Sequence, residues 1–332
     1  MNVLSLFNGM NTLRQAMENV GIEVNKYYSS EIKPYAIELT QHHFPDTTQV
    51  GNINNWRQWD IDWKTIDFIG SGSPCQDLSI AGKRAGINGS KSSLFWVFIE
   101  ILNHVKKLNP NVLFLQENVG SASKLDIGIM SRAMGLYPVS INSKLLTAQL
   151  RDRYYWTNIR TKNTIFDIVT DIPQPKDLKI MFKDIITDGF TNRDKSYCIL
   201  EGYYSKAFNE EKNQPALIKR YNMGMQSLVY IEKDEVRVKT NTVKGYDILT
   251  ENDCLNLSFP KSTTRRGRVT KGNEPIYTLK DHTMRLLYKE ELCRLQGFPD
   301  DYCDIITRNK AGSLLGDGWT LPIIEHILKY IN

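Results

Sequence analysis

Short apolar runs and amphipathic stretches alternate along the chain up to about residue 160. That rhythm predicts strands alternating with helices, the pattern of a doubly wound α/β sheet. Strands are expected at Val3 to Phe7, Lys26 to Ser30, Thr65 to Ile69 and Val112 to Leu115, with helices from Thr12 to Val20 and from Pro34 to His43. Proline suits the first turn of the second helix because its φ is already helical. A longer amphipathic helix, Ser93 to Lys107, is expected to bury Leu94, Phe95, Phe98, Ile101 and Leu102. Two further strands are expected at Tyr137 to Asn142 and Tyr154 to Asn158. After Ile159 the pattern changes. Pro173, Pro175, scattered aromatics and short polar runs persist to about Met284 and predict a second, mainly irregular and β domain. A closing helix from Leu321 to Tyr330 opens with Pro322 and is apolar at Ile323, Ile324, Ile327 and Leu328.

The strand ends carry the candidate chemistry. Cys75 follows the apolar run Ile66 to Gly70 within Ser73, Pro74, Cys75, Gln76. That places a thiol where parallel sheets present reactive groups, at their carboxyl edge. The run Asn111 to Leu115 leads into Glu117 and Asn118, so a carboxylate is expected at the same edge. Arg151 and Arg153 are two residues apart and share a face if extended. Taken singly, each has a plainer explanation: a lone cysteine is usually a small buried hydrophobe, a Glu-Asn pair a turn or cap, alternating arginines a solvated strand face. Their joint order and spacing are what single them out.

In that order the motifs resemble the DNA cytosine C5 methyltransferases along nearly the whole chain. Ser5 to Gly9 is similar to the family's first, cofactor-binding turn, Ser30 and Glu31 to the second motif, and Gly51 to Ile53 to the third. Ser73 to Gln76 resembles the catalytic Pro-Cys motif, Leu94 and Phe95 the fifth, Glu117 to Val119 the sixth, and Gln149 to Arg153 the Gln-x-Arg-x-Arg motif. Arg294 to Pro299 and Gly316 to Trp319 resemble the ninth and tenth.

The resemblance implies a Rossmann-like mixed sheet with an antiparallel edge, and three segments: a catalytic and cofactor-binding domain over 1–162, a target-recognition domain over 163–309, and a C-terminal helix over 310–332 returning to the first domain. It implies double-stranded DNA as substrate, S-adenosyl-L-methionine as methyl donor, no metal, and a monomer. Cys75 is then the nucleophile that adds to C6 of a flipped cytosine. Glu117 holds a proton toward N3, Arg153 grips the O2 edge and orients Glu117, and Arg151 supports the loop or a phosphate. Phe7, Asn8, Gly9, Met10, Asn11, Thr12, Glu31, Ile32, Asn52, Ile53, Pro74, Leu94, Asp317 and Trp319 are expected around the cofactor, with Glu31 on the ribose hydroxyls and Asn52 and Ile53 at the adenine. Gln76, Ser79 and Gln149 are expected at the DNA. The glycine-rich stretch Asp77 to Ser93 is expected to close over the extruded base.

Three positions depart from the family pattern. Met10, Asn11 and Thr12 replace the usual glycine-rich continuation of the first motif, Asn52 a common Asp, and Asp317 the usual Asn. A carboxylate at 317 suggests a donor carrying an extra cation, such as a modified sulfonium analogue, or a transferred group other than plain methyl. An RNA-directed enzyme and a catalytically silent nucleic-acid-binding homologue are the alternatives.

Composition adds limits. With 332 residues, 41% hydrophobic and 24% charged, the chain can bury a full core and is long enough for two domains. No apolar stretch approaches the ~18 residues of a membrane span, and Met1 to Leu4 enters a strand without a signal-peptide pattern, so a cytoplasmic protein is expected, and the family resemblance with this length implies a bacterium or phage-infected cell. Five cysteines with no Cys-x-x-Cys pair argue against a disulfide framework or structural zinc. A net charge of +5 permits a polyanionic partner without requiring one. The basic run Lys261 to Lys271, with Arg265, Arg266 and Arg268 beside Gly267, suits phosphate contacts.

Overall fold

Seven strands form one mixed sheet in the order β3-β2-β1-β4-β5-β7-β6. They are β1 (Asn2–Leu6), β2 (Lys26–Ser30), β3 (Thr48–Gln49), β4 (Phe68–Ser71), β5 (Leu113–Val119), β6 (Val139–Asn142) and β7 (Asp152–Thr157). The computed structural model describes residues 1–74, 93–204, 217, 219–220, 227–232, 236–239, 246–249, 254–255, 269–270 and 282–331. Cys75, Gln76, Ser79, Arg265, Arg266 and Arg268, and nearly all of the expected closing stretch 77–93, lie outside the described residues.

The first five strands run parallel and β7 is antiparallel to both β5 and β6. This is the mixed sheet with an antiparallel edge that the sequence predicts. Strand order reverses between β1 and β4, so a crevice opens beyond their carboxyl ends, where doubly wound folds bind ligands. The central strands are buried on both faces, as parallel strands require. Val3, Phe68 and Leu115 join one apolar cluster. Leu4, Ile69 and Phe114 join the other, against Phe95, Phe98 and Leu102 of α3.

Helices α1 (Thr12–Asn19), α2 (Pro34–His43) and α3 (Leu94–Leu108) fall where the periodicity puts them, though Leu94 is only partly buried and Ile99 and Val105 complete the apolar stripe. Helix α4 (Lys124–Met134) was not expected. Its signal was present: the Ser123 hydroxyl caps the Asp126 N–H at 3.1 Å, and Gly135 ends the helix at φ 83°.

Hairpin β8 (Thr161–Asn163) and β9 (Ile168–Thr170) follows, then short antiparallel pairs between β10 (Val229–Glu232) and β15 (His282–Arg285), β11 (Val236–Lys239) and β12 (Tyr246–Leu249), and β13 (Cys254–Leu255) and β14 (Val269–Thr270). The chain closes with α5 (Lys289–Gln296), α6 (Arg308–Asp317) and α7 (Leu321–Leu328). Helix α7 packs on α1, where Asn19 donates to Glu325 at 2.5 Å. A single apolar cluster joins Leu13 and Ala16 of α1 to Leu292 of α5 and Ile324 and Ile327 of α7, and extends to Phe182 and Ile199. Among the described residues no helix is long and apolar enough to cross a membrane.

Candidate active site

At the end of β1 the chain turns sharply. Phe7, Gly9 and Asn11 all take left-handed φ values of 57°, 57° and 63°. Only glycine adopts that region freely, so Phe7 and Asn11 hold backbone strain that the surroundings must maintain. The turn is tied to β2: Asn8 N–H donates to the Ser30 carbonyl at 3.2 Å, and Gly9 N–H to Glu31 Oε2 at 2.8 Å. Glu31 Oε1 accepts from the Ile32 and Lys33 N–H groups at 2.7 and 2.9 Å, at the entrance to α2.

Above this turn lies a cavity of about 330 Å³, a size suited to a nucleoside-scale ligand. Phe7, Asn8, Gly9 and Thr12 form one wall, while Glu31, Ile32, Asn52 and Ile53 form a second. Pro74 and Leu94 border a third side, and Asp317 and Trp319 come from the far end of the chain. Met10 and Asn11 sit behind this lining: Met10 is buried beneath Gly318, and Asn11 is fully buried. Asn52 is already half engaged, since its side-chain oxygen caps the Asn54 N–H at 3.0 Å.

The cavity continues to a polar end. Strand β5 runs to Val119, longer than expected, so Glu117 and Asn118 lie within it. Register sets Glu117 opposite Tyr155 and Val119 opposite Arg153. Glu117 and Arg153 are therefore diagonal neighbours on one face, and Arg153 Nε lies 2.9 Å from Glu117 Oε1. Trp319 Nε1–H donates to the other oxygen, Oε2, at 3.1 Å. Ser73, at the foot of the Pro-Cys turn, is buried and accepts from Gln116 Nε2 at 2.9 Å. Ser73 and Pro74, which lead to Cys75 in sequence, line the same cavity as Glu117.

Two expected roles change on sight of the surroundings. Gln149 is fully buried, donating to the Leu295 carbonyl at 3.2 Å and accepting from the Ile199 N–H at 2.8 Å. With both ends of its amide used inside the protein, it ties elements together and has no face to offer DNA. Arg151 is 3% exposed and donates to the Ile199, Gly316 and Gly318 carbonyls at 3.3, 3.1 and 2.7 Å. It staples the chain before Trp319 to the sheet, and with 3% of its surface exposed its guanidinium is turned inward.

Asp317 carries an unexpected partner. Lys33 Nζ lies 2.8 Å from Asp317 Oδ2 and 3.5 Å from Glu201 Oε1, at the rim of the cavity. Burial works against the Lys33 charge, yet Asp317 and Glu201 prevail and hold its pKa above the ordinary lysine value. The Asp317 carboxyl is pushed up by burial, against the pull of Lys33. Sequence reasoning missed Lys33 because its partner lies 284 residues away.

The model of the C-5 cytosine-specific DNA methylases matches residues 1–332. The type II methyltransferase M.HhaI of Haemophilus parahaemolyticus is 30% identical over 342 residues, covering 99% of this chain and 93% of that protein. M.NgoBV of Neisseria gonorrhoeae is 32% identical over 420 residues, covering 98% and 97%. The Entamoeba histolytica methyltransferase EhMeth superposes with a TM-score of 0.59 at 14% identity, covering 100% and 97% of the two chains, a likeness of fold. Match and motifs agree along the full length: the chain belongs to the C-5 cytosine-specific DNA methylase family.

Proposed function

We propose that the chain methylates C5 of cytosine in double-stranded DNA through a covalent adduct between Cys75 and C6 of an extruded base, with S-adenosyl-L-methionine as donor. The observation that carries this reading is the Glu117 carboxylate, held from two sides by Arg153 and Trp319 in a cavity that Pro74 also lines. C5 of cytosine is a poor nucleophile until a thiolate adds at C6 and turns C5 into an enamine-like carbon. Charge then develops on the ring, and a carboxyl group at N3 with a guanidinium at O2 neutralises it. Loss of the C5 proton and expulsion of Cys75 restore the aromatic ring.

The remaining cavity fits the donor. Glu31 offers a carboxylate toward ribose hydroxyls, Ile32, Ile53 and Leu94 offer apolar surface for an adenine ring, and the strained turn at 7–11 brings backbone close to an amino-acid tail. When bound, S-adenosylmethionine supplies the electrophilic methyl. Asp317 needs no extra cation from that donor, because Lys33 already faces it at 2.8 Å; plain methyl is the transferred group. The same reading assigns 1–162 and 310–332 to the catalytic unit and 163–309 to target recognition, with Arg265, Arg266 and Arg268 on phosphates and Gln76 and Ser79 near the base.

Duplex DNA containing 5-fluorocytosine tests this directly, since the fluorine cannot leave as the C5 proton does. A denaturation-stable adduct that requires S-adenosylmethionine and is lost in Cys75→Ser is expected. Trapping on the matching RNA alone, or on neither polymer, overturns the reading.

A further inference from the structure

A second thiol lies beside the Glu117 and Arg153 pair. The segment carrying it is fixed by backbone bonds: Ser196 N–H donates to the Ala148 carbonyl at 2.7 Å, and Leu150 N–H to the Ser196 carbonyl at 2.8 Å. The buried Gln149 amide accepts from the next N–H, that of Ile199, at 2.8 Å. These ties set Cys198, which is partly exposed, against the two arginines. Its sulfur lies 3.2 Å from Arg151 Nη1 and 3.8 Å from Arg153 Nη2.

We propose that Cys198 is a positioning residue of the transferase, its sulfur accepting from Arg151 and Arg153 together and so fixing the Arg153 guanidinium on Glu117. The inference rests on the methyl-transfer reading above. A guanidinium is a planar fork of five N–H donors, and its orientation is set by how many of its corners are held. For Arg153, Nε is held by Glu117 at 2.9 Å, Nη1 by the Asp152 carbonyl at 2.7 Å, and Nη2 by the Cys198 sulfur. Acceptors at three corners fix both the position and the tilt of the group. Cys198 is the corner contributed from outside β5 and β7.

Sulfur suits the role because it is large and soft and accepts from two donors at separations where an oxygen reaches one. Its charge state strengthens it further. Burial disfavours the thiolate, but Arg151 and Arg153 outweigh it and hold the Cys198 pKa below the ordinary thiol value. Among the described residues, the charged groups that act on the sulfur are these two arginines. Of the carboxylates, Glu117 pairs with Arg153 on its other side, and Asp317 feels Arg151. In its neutral form the thiol turns its proton to the Ile199 carbonyl at 3.4 Å, and the pull on Arg153 weakens. The depressed pKa extends the stronger acceptor to lower pH than in an ordinary cysteine.

Two measurements on the full-length chain decide it. Peptide-resolved alkylation with iodoacetamide across pH reads the thiolate of Cys198 as the sulfur displaces iodide. Its midpoint is expected below the ~8.5 of an ordinary cysteine. Steady-state kinetics on Cys198→Ala and Cys198→Ser read the positioning. Cys198→Ala is expected to lower kcat about tenfold with KM for both substrates within about twofold, as for an interaction made in the transition state. Cys198→Ser keeps one shorter-reaching acceptor and is expected to recover part of that loss. A midpoint at or above the ordinary value, or an unchanged kcat in Cys198→Ala, overturns the proposal, and so does an equal loss in both variants. The alkylation midpoint needs no variant, so misfolding of Cys198→Ala cannot shield it. A wild-type chain that transfers no methyl group overturns both readings, whereas one matched in rate by Cys198→Ala overturns this one alone.

Discussion

Arg153 and Glu117 meet diagonally across the junction where the sheet turns antiparallel, Nε to Oε1 at 2.9 Å, with side chains only 13% and 11% exposed. An ion pair this sheltered gives little net stability while intact, but removing Arg153 leaves the carboxylate without its cation, held only by the Trp319 N–H. Arg153→Ala is therefore expected to cost about 3 kcal/mol in urea unfolding and to lower kcat about 100-fold or more. Arg153→Lys restores the charge without the planar fork and is expected to recover stability better than turnover. Equal recovery of both would mean that the guanidinium geometry has no part in the reaction.

Trp319 holds the other side of the same carboxylate. Its indole lies against glycine backbone: a Cβ built at Gly72 falls 2.7 Å from Trp319 Nε1, and one at Gly70 falls 3.6 Å from the ring. Gly72→Ala must push the ring off Glu117, whereas Trp319→Phe removes the N–H and makes room. Each change alone is expected to lower kcat about tenfold, the scale of one hydrogen bond to a charged group. The double variant is expected to lose less than the sum, with a coupling above about 0.5 kcal/mol. Strict additivity in this cycle would separate the glycine from the tryptophan.

What the sequence told in advance, and what it withheld, divides along chain distance. The limits of β2 and α2, Lys26–Ser30 and Pro34–His43, coincide with those predicted, because local periodicity and a helix-starting proline specify them. Strand β4 begins at Phe68, later than expected, because Trp63–Thr65 forms a 3₁₀ turn and the Asp67 carboxylate is spent on the Asn2 N–H at 2.8 Å. Period two correctly put Arg151 and Arg153 on one face. It could not say that residues 198–199 and 316–318 cover that face at Arg151, which makes this arginine an internal staple. Trp319 with Glu117, 202 residues apart, was invisible for the same reason: only the fold brings the residues between α6 and α7 back to β5.

Glu31 is engaged before any ligand arrives. Three backbone N–H groups, from Gly9, Ile32 and Lys33, point at its two oxygens. A carboxylate oxygen has two lone pairs, so Oε1 is saturated and direct contact with two ribose hydroxyls requires a backbone donor to let go. Glu31→Gln sets an amide N–H₂ against one of these donors. A loss of about 1 to 2 kcal/mol in stability is expected from the unsatisfied N–H, together with at least about a tenfold weaker S-adenosylmethionine affinity by calorimetry. Reduced stability with unaltered affinity would confine Glu31 to bracing the turn.

Lys33 and Asp317 give the pH dependence. The raised Lys33 pKa means that its contribution is complete below the ordinary value of 10.5 and is lost as pH climbs through the higher folded value. The raised Asp317 pKa has the opposite sense for a carboxyl: the folded protein binds this proton more tightly, so ionising Asp317 costs stability at neutral pH, and acidification removes the cost. The attraction is one and the same, but it exceeds the burial penalty of Lys33 and falls short of that of Asp317. Solvent reaches both side chains, 33% and 44% exposed, so the effects stay under about 1 kcal/mol. At pH 7 Asp317→Asn is expected to leave the melting temperature unchanged or slightly raised. Lys33→Met is expected to lower it, by stranding the carboxylate. That deficit is expected to shrink as pH falls through the raised Asp317 value and to vanish below the ordinary 3.8, where the carboxyl is neutral in folded and unfolded chains alike. Melting curves of the three proteins between pH 3.5 and 8 test the sign. A Lys33→Met deficit that persists at the acid end would show that the lysine stabilises through packing of its stem, with its charge incidental.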